Sequence, residues 1–182
     1  MRPENALPVP VDDGACDHLV GMTAPAFALP ATVGPDIDLS TLRGRAVVYA
    51  YPRTGPPGQA ELADDWDMIA GARGCTEEAC SFRDHHAELA ALGVQVFGLN
   101  TQPTAEQLEL VERTHLPFPL LSDVDLSLTR ALKLPTFEVA GVVLLKRHTL
   151  IVCDGRIEHV FYPVFPPDTH GDEVGAWLKA RR

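Results

Sequence analysis

Apolar and polar positions follow two different periods along this chain, and the places where the period changes mark its elements. Residues 46–51, Ala46-Val47-Val48-Tyr49-Ala50-Tyr51, form a nearly continuous apolar, β-favouring run closed by Pro52, the pattern of a strand buried on both faces. From Cys75 to about Leu92, Ala79, Phe82, His86 and Leu89 recur at intervals of three and four, while Glu77, Arg83, Asp84 and Glu88 fall elsewhere. That spacing predicts an amphipathic helix, which Gly93 stops. Residues 94–99 are again apolar and strand-like, and Thr104-Ala105-Glu106-Gln107 reads as a capping box opening a helix that runs to about Thr114.

The alternation continues. Residues 118–121 predict a short strand, 126–132 a short helix, and 142–146 and 150–152 further strand material. Asp154-Gly155 then predicts a tight turn into a strand at 156–162, and a last helix spans about 173–179. Near the N-terminus, residues 26–29 and 37–39 flank the turn-forming pair Gly34-Pro35 and predict a hairpin. Strand–helix units in the middle and a hairpin near the end imply an α/β fold, a three-layer sandwich with a mixed central sheet. Residues 1–20 are acidic and proline-rich without periodicity, so a loosely ordered tail is expected there, with one domain over 21–182. Residues 55–74, bounded by Gly and Pro with an acidic middle, form an insertion ahead of the long helix. Trp66, Met68 and Ile69 make it a candidate lid or subunit contact, although a self-packed surface loop is the simpler expectation.

Composition narrows the possible roles. A chain of 182 residues builds one core rather than two, and 15 Lys+Arg against 25 Asp+Glu give a formal charge of −10 that disfavours nucleic acid and anionic membrane as partners. No stretch approaches the roughly 18 apolar residues of a membrane span, and the acidic, proline-containing start is unlike a signal peptide. A cytoplasmic location is therefore expected. Four cysteines, Cys16, Cys75, Cys80 and Cys153, are too few for a disulfide-stapled scaffold of this size.

Candidate chemistry lies in Gly74-Cys75-Thr76-Glu77-Glu78-Ala79-Cys80-Ser81-Phe82-Arg83-Asp84. A helix starting near Cys75 places that sulfur against unpaired N–H groups and the positive end of the macrodipole, which favour thiolate. A free thiol has a pKa of about 8.5, and a helix N-terminus with a neighbouring guanidinium lowers it; Arg73 is nearby, and a second arginine can come from elsewhere. Cys80 follows five residues later, a rise of about 7.5 Å along an intact helix. A disulfide seldom tolerates more than about 7 Å between Cα atoms, so any Cys75–Cys80 bond requires the helix start to unwind. Cys75, Cys80, His85 and His86 superficially suggest a metal, but they point in different directions around one helix and no metal is expected. Cys16 and Cys153 have no comparable context, and Cys153 is expected to be the more buried.

This segment resembles the active site of peroxiredoxins of the bacterioferritin-comigratory-protein, or peroxiredoxin Q, type. The likeness spans most of residues 21–182. Gly21-Met22-Thr23-Ala24-Pro25-Ala26-Phe27-Ala28-Leu29-Pro30 resembles the family's opening, Tyr49-Ala50-Tyr51-Pro52 its strand before the active-site loop, and Leu121-Ser122-Asp123 a mid-chain signature. Arg147-His148-Thr149 and Asp154-Gly155-Arg156-Ile157-Glu158-His159-Val160-Phe161 resemble its late hairpin.

The resemblance implies a thioredoxin-like fold and a thiol-dependent peroxidase. Cys75 would attack the peroxide and become a sulfenic acid, Cys80 would condense with it to a disulfide, and thioredoxin or a similar dithiol protein would restore the thiols. The substrate is hydrogen peroxide or an organic hydroperoxide, no metal or organic cofactor is implied, and the assembly is a monomer or homodimer. Arg147 matches the arginine that pairs with the thiolate, Pro52 the proline that shields the cysteine loop, and Glu78 is a candidate to orient Arg147. In the family a threonine usually stands three residues before the peroxidatic cysteine. Ala72 occupies that position here, and Thr54 is the candidate to supply the hydroxyl. A redox-sensing thiol switch and a general disulfide oxidoreductase are the alternatives, the latter lacking its Cys-x-x-Cys.

Overall fold

Strand β3 (Arg45–Ala50) sits at the centre of the fold because its side chains are apolar in both directions. Ala46, Val48 and Ala50 enter one core cluster, with Leu121, Leu128, Leu132 and Leu150. Val47, Tyr49 and the following Tyr51 enter another, with Phe82, Leu89, Leu110, Val174 and Leu178. A strand apolar on both faces can only be satisfied between two covering layers. The computed structural model of the protein describes residues 7–182 and shows those layers.

The central sheet has the order β5-β4-β3-β8-β9, with β4 (Gln95–Asn100) and β5 (Leu120–Ser122) parallel to β3, and β8 (His148–Cys153) and β9 (Arg156–Phe161) antiparallel. The expected mixed sheet is thus present. Helices α1 (Cys75–Ala91) and α4 (His170–Lys179) pack together on one face, where α2 (Thr104–Thr114) also contributes Leu110. Helix α3 (Ser127–Leu132) and the N-terminal segment cover the other. The N-terminal hairpin pairs β1 (Ala28–Leu29) with β2 (Ile37–Asp38). Phe82 of α1 stacks on Tyr49 with ring centroids 4.5 Å apart, which fixes α1 over the middle of β3. Among the described residues no helix is long and apolar enough to cross a membrane.

Three local expectations are corrected. Leu19 is fully buried and Cys16 nearly so, both in the core, so the described part of the expected tail belongs to the fold. Asp13 secures it, accepting from Lys146 Nζ at 2.9 Å and Tyr162 Oη at 2.7 Å. Cys16, not Cys153, is therefore the more buried cysteine. The capping box at Thr104 does not form: Pro103 occupies the extended N-cap position, making Thr104 the first helical residue and turning Gln107 inward to donate to Asn100 Oδ1 and the Leu121 carbonyl. The apolar run at 142–146 forms the expected strand, β7 (Val142–Leu145), which pairs with β6 (Thr136–Val139) in a separate hairpin outside the central sheet.

His148, the first residue of β8, is fully buried with Nδ1 2.7 Å from the Lys146 carbonyl and no partner for Nε2. Burial lowers its pKa from 6.5 to about 4. The unfolded chain thus binds a proton that the folded chain refuses, and this contribution to stability is whole above about pH 6.5 and lost as pH falls toward about 4, amounting to about 3 kcal/mol. Urea unfolding across that range is expected to show a shallower loss of stability in His148→Leu than in the parent; equal slopes would remove His148 from the acid response.

Candidate active site

The antiparallel pairing of β3 with β8 sets Ala50 opposite His148, so the chain leaving β3 and the chain entering β8 meet at one end of the sheet. Tyr51 N–H still bonds the Leu99 carbonyl at 3.1 Å; Pro52, which has no N–H, then ends the ladder. The insertion at 55–74 returns the chain to this same end, where α1 begins. Its return depends on Gly74, whose φ of 104° is left-handed and whose missing side chain leaves room for Pro167, since an added Cβ would stand 2.3 Å from the Pro167 ring.

Cys75 is the first residue of α1 and is only 5% exposed. Arg147, in the two-residue link between β7 and β8, donates from Nη2 to Cys75 Sγ at 3.1 Å and from Nη1 to Glu78 Oε2. Nη2 also faces the Gly71 and Arg73 carbonyls, both at 3.2 Å. Glu78 is fully buried one turn into α1, and Arg147 is 3% exposed. One guanidinium therefore ties together the end of the insertion, the helix start and the sheet. Arg73 does not share this role, because its side chain pairs with Asp67 of the insertion.

Burial is the largest influence on Cys75 and pushes its thiol above the ordinary value; the Arg147 guanidinium and the Arg53 backbone N–H pull it back down. The lowered value expected from a helix N-terminus is thus opposed by desolvation. Glu78 is likewise raised by burial, with Arg147 and His170 opposing. Burial works against the charge on Arg147 too, yet Cys75 and Glu78 beside it hold its pKa above the ordinary arginine value.

The thiol opens onto a cleft of about 140 Å³ whose walls include Arg53, Thr54, Glu61, Trp66, Ala72 and Glu77. The insertion is neither a free lid nor packed only on itself. Trp66 is buried against Phe137, Val139 and Leu144 of the β6–β7 hairpin, and this contact holds one wall of the cleft. Thr54 stands in the wall with its hydroxyl buried beside the Tyr51 phenol, while Ala72 presents its carbonyl to Cys75 Sγ at 3.5 Å. Pro52 is buried at the end of β3. Arg147 thus joins Cys75 and Glu78 by hydrogen bonds, Thr54 lines the same cleft as Cys75, and Pro52 is buried two residues before Thr54 without lining it. Cys80 does not reach Cys75: it lies further along the continuous α1, part-buried, and both sulfurs are free. Sequence reasoning passed over Glu61 and Gln102; the latter bonds the backbone of Thr54 from the loop after β4, and nothing in its polar neighbourhood marks it. Among the described residues no group of three or more His, Cys, Asp or Glu could hold a metal.

These opposing influences on Cys75 can be separated. Arg147→Gln is expected to raise the pH at which Cys75 ionises, and Glu78→Gln to lower it, because the carboxylate acts on the thiolate with the opposite sign. The thiolate's ultraviolet absorbance followed against pH measures both. Shifts of the same sign in the two variants would contradict this arrangement of charges.

Comparison with known proteins fits the geometry. The Redoxin family matches residues 19–176. Peroxiredoxin Bcp of Escherichia coli strain K12 is 34% identical over 169 residues, covering 87% of this chain and 94% of that protein. Among solved structures, the peroxidoxin BcpB of Mycobacterium tuberculosis superposes with a TM-score of 0.72 at 29% identity, over 91% of this chain and 99% of the other. The bacterioferritin comigratory protein of Xanthomonas campestris, described for its alkyl peroxide reduction activity, gives a TM-score of 0.68 at 23% identity, over 86% and 91% of the two chains. With its thioredoxin-like fold and a cysteine held by arginine at a helix start, this chain belongs to the Redoxin family, among the peroxiredoxins of the Bcp and peroxiredoxin Q type.

Proposed function

We propose that this peroxiredoxin reduces hydroperoxides at Cys75 and resolves the oxidised sulfur with Cys80. The observation that carries the reading is Arg147 Nη2 at 3.1 Å from Cys75 Sγ, in a cleft open to a small substrate, with a second cysteine on the same helix. The Cys75 thiolate attacks one peroxide oxygen, the O–O bond breaks, and that oxygen stays on sulfur as sulfenic acid while the other leaves as water or an alcohol. Arg147 stabilises the charge passing along the S–O–O axis; its fork of fixed donors can face sulfur and oxygen together. Glu78 fixes the fork, Pro52 ends β3 and turns the chain into the cleft wall, and Thr54 in that wall supplies a hydroxyl to the peroxide.

The Cys80 thiol then displaces the sulfenic oxygen as water, forming a disulfide. Because Cys75 and Cys80 lie on one continuous helix, the first turns of α1 must unwind for the sulfurs to meet. Thioredoxin or a similar dithiol protein reduces the disulfide by exchange, in keeping with a cytoplasmic site of action.

Stopped-flow consumption of hydrogen peroxide by the reduced protein tests these roles. Cys75→Ser should abolish the fast reaction, whereas Cys80→Ser should keep the first turnover and accumulate sulfenic or overoxidised sulfur. Thr54→Val should slow the first step about a hundredfold, the scale of one lost transition-state donor. A fast reaction surviving in Cys75→Ser would overturn the assignment, and unaltered kinetics in Thr54→Val would remove the hydroxyl from it. Amide exchange should separately show residues 75–81 losing protection on oxidation; a Cys75–Cys80 disulfide with full helical protection would contradict the unwinding.

A further inference from the structure

We propose that Gln102 is a positioning residue for the peroxide reaction, its carboxamide holding the Arg53–Thr54 wall of the Cys75 cleft in place from the loop after β4. This rests on the peroxidase reading above. The need for such a group follows from the course of β3. Its ladder ends at Tyr51, since Pro52 has no N–H, and the next residues leave the sheet with no neighbouring strand to bond their backbone.

Gln102 substitutes for that strand. Its Oε1 accepts from Thr54 N–H at 2.9 Å and its Nε2 donates to the Thr54 carbonyl at 2.8 Å, so one side chain satisfies both backbone groups of one residue. The remaining capacity is also used: Oε1 accepts from Asn100 Nδ2 at 2.7 Å, and Nε2 donates to Glu106 Oε2 at 3.0 Å. A carboxamide has two donors and two lone pairs, and all four are engaged, which leaves a single orientation. The loop itself is fixed. Asn100 Oδ1 accepts from Gln102 N–H at 3.0 Å and Gln107 Nε2 at 2.7 Å, and Ser122 Oγ donates to the Gln102 carbonyl at 2.7 Å. Asn100, Gln102, Gln107 and Ser122 are all buried, so the clamp is anchored to β4, α2 and β5 rather than to a mobile surface.

What the clamp holds faces the chemistry. Thr54 is 7% exposed and lines the cleft with Cys75, and its buried Oγ1 lies beside the Tyr51 phenol at the end of β3. The segment that carries it is short and leaves the sheet without a neighbouring strand, and a displacement of about 1 Å in such a group can cost about a hundredfold in rate.

The test compares two reactions of the same thiol in the reduced, full-length protein. Gln102→Leu removes every side-chain hydrogen bond of the clamp, and Gln102→Glu keeps the shape but loses both donors. Single-turnover oxidation by hydrogen peroxide, followed by tryptophan fluorescence, is expected to slow by about tenfold to a hundredfold in each. Alkylation of Cys75 by iodoacetamide, which needs the thiolate but not the peroxide-oriented hydroxyl, should stay at the parent's rate. In a Thr54→Val background Gln102→Leu should cost less than in the parent, because the two act through one group. Thr101→Val, one residue away with its hydroxyl turned to the Val143 carbonyl, serves as the control and should react like the parent. Should Gln102→Leu fail to fold, the isosteric Gln102→Glu decides by the same two rates. Parent-like peroxide rates in the folded variants, or peroxide and alkylation rates changing together, would overturn the proposal. A parent protein inert to peroxide would instead defeat the peroxidase reading.

Discussion

The structure turns on one buried charge. Arg147 is almost wholly out of water, and a guanidinium so placed must find acceptors in the protein. It finds them along one stretch of chain, residues 71–78: the Gly71 and Arg73 carbonyls at the end of the insertion, Cys75 at the helix start, and Glu78 one turn on. Removing one partner of such a buried pair commonly costs about 3–5 kcal/mol. The same contacts that organise the site therefore also determine where the insertion ends and α1 begins. The thiol is held between two opposed influences, burial raising its pKa and the guanidinium lowering it. The acidity of this thiol is therefore set by their balance rather than by the helix terminus alone.

Around that charge the topology does ordinary work. Antiparallel β8 starts where β3 stops, which brings residues 51–54 and 147 to one end of the sheet despite their separation in sequence. The insertion then adds a wall to the cleft. By burying Trp66 on the β6–β7 hairpin it sets Glu61 and Ala72 in the lining beside the thiol, and its Asp67 pairs with the Arg73 side chain. The cleft is small and lined largely by polar groups, Arg53, Thr54, Glu61, Arg73 and Glu77 among them, suited to oxygen atoms rather than to a hydrocarbon.

Much of this was legible in the residues, and the exceptions have physical causes. The apolar run at 46–51 and the three-and-four spacing of Ala79, Phe82 and Leu89 place β3 and α1 because burial acts on short, regular patterns. Arg147 and Thr54 were visible only through family resemblance or proximity in sequence, since no local pattern tells which arginine crosses the sheet to a given cysteine. The packed segment around Cys16 and Leu19 was hidden by its prolines and acids, which conceal two buried side chains in a polar stretch. Thr104 imitated a cap, but Pro103 had already taken the N-cap geometry. The direction of the Cys75 shift depends on depth below the surface, and depth belongs to the tertiary structure. Gln102 illustrates the same limit: a glutamine in a polar loop has no signature until the backbone it serves is in place.

The central claim is that Cys75, among four cysteines, is the sulfur a peroxide meets. The most direct measurement exposes the unaltered, reduced protein to one equivalent of hydrogen peroxide in the presence of a sulfenic-acid trap and maps the adduct by mass spectrometry. The account predicts label on Cys75, competing with a Cys75–Cys80 disulfide. Label appearing first on Cys80, Cys16 or Cys153, with Cys75 untouched, would contradict it.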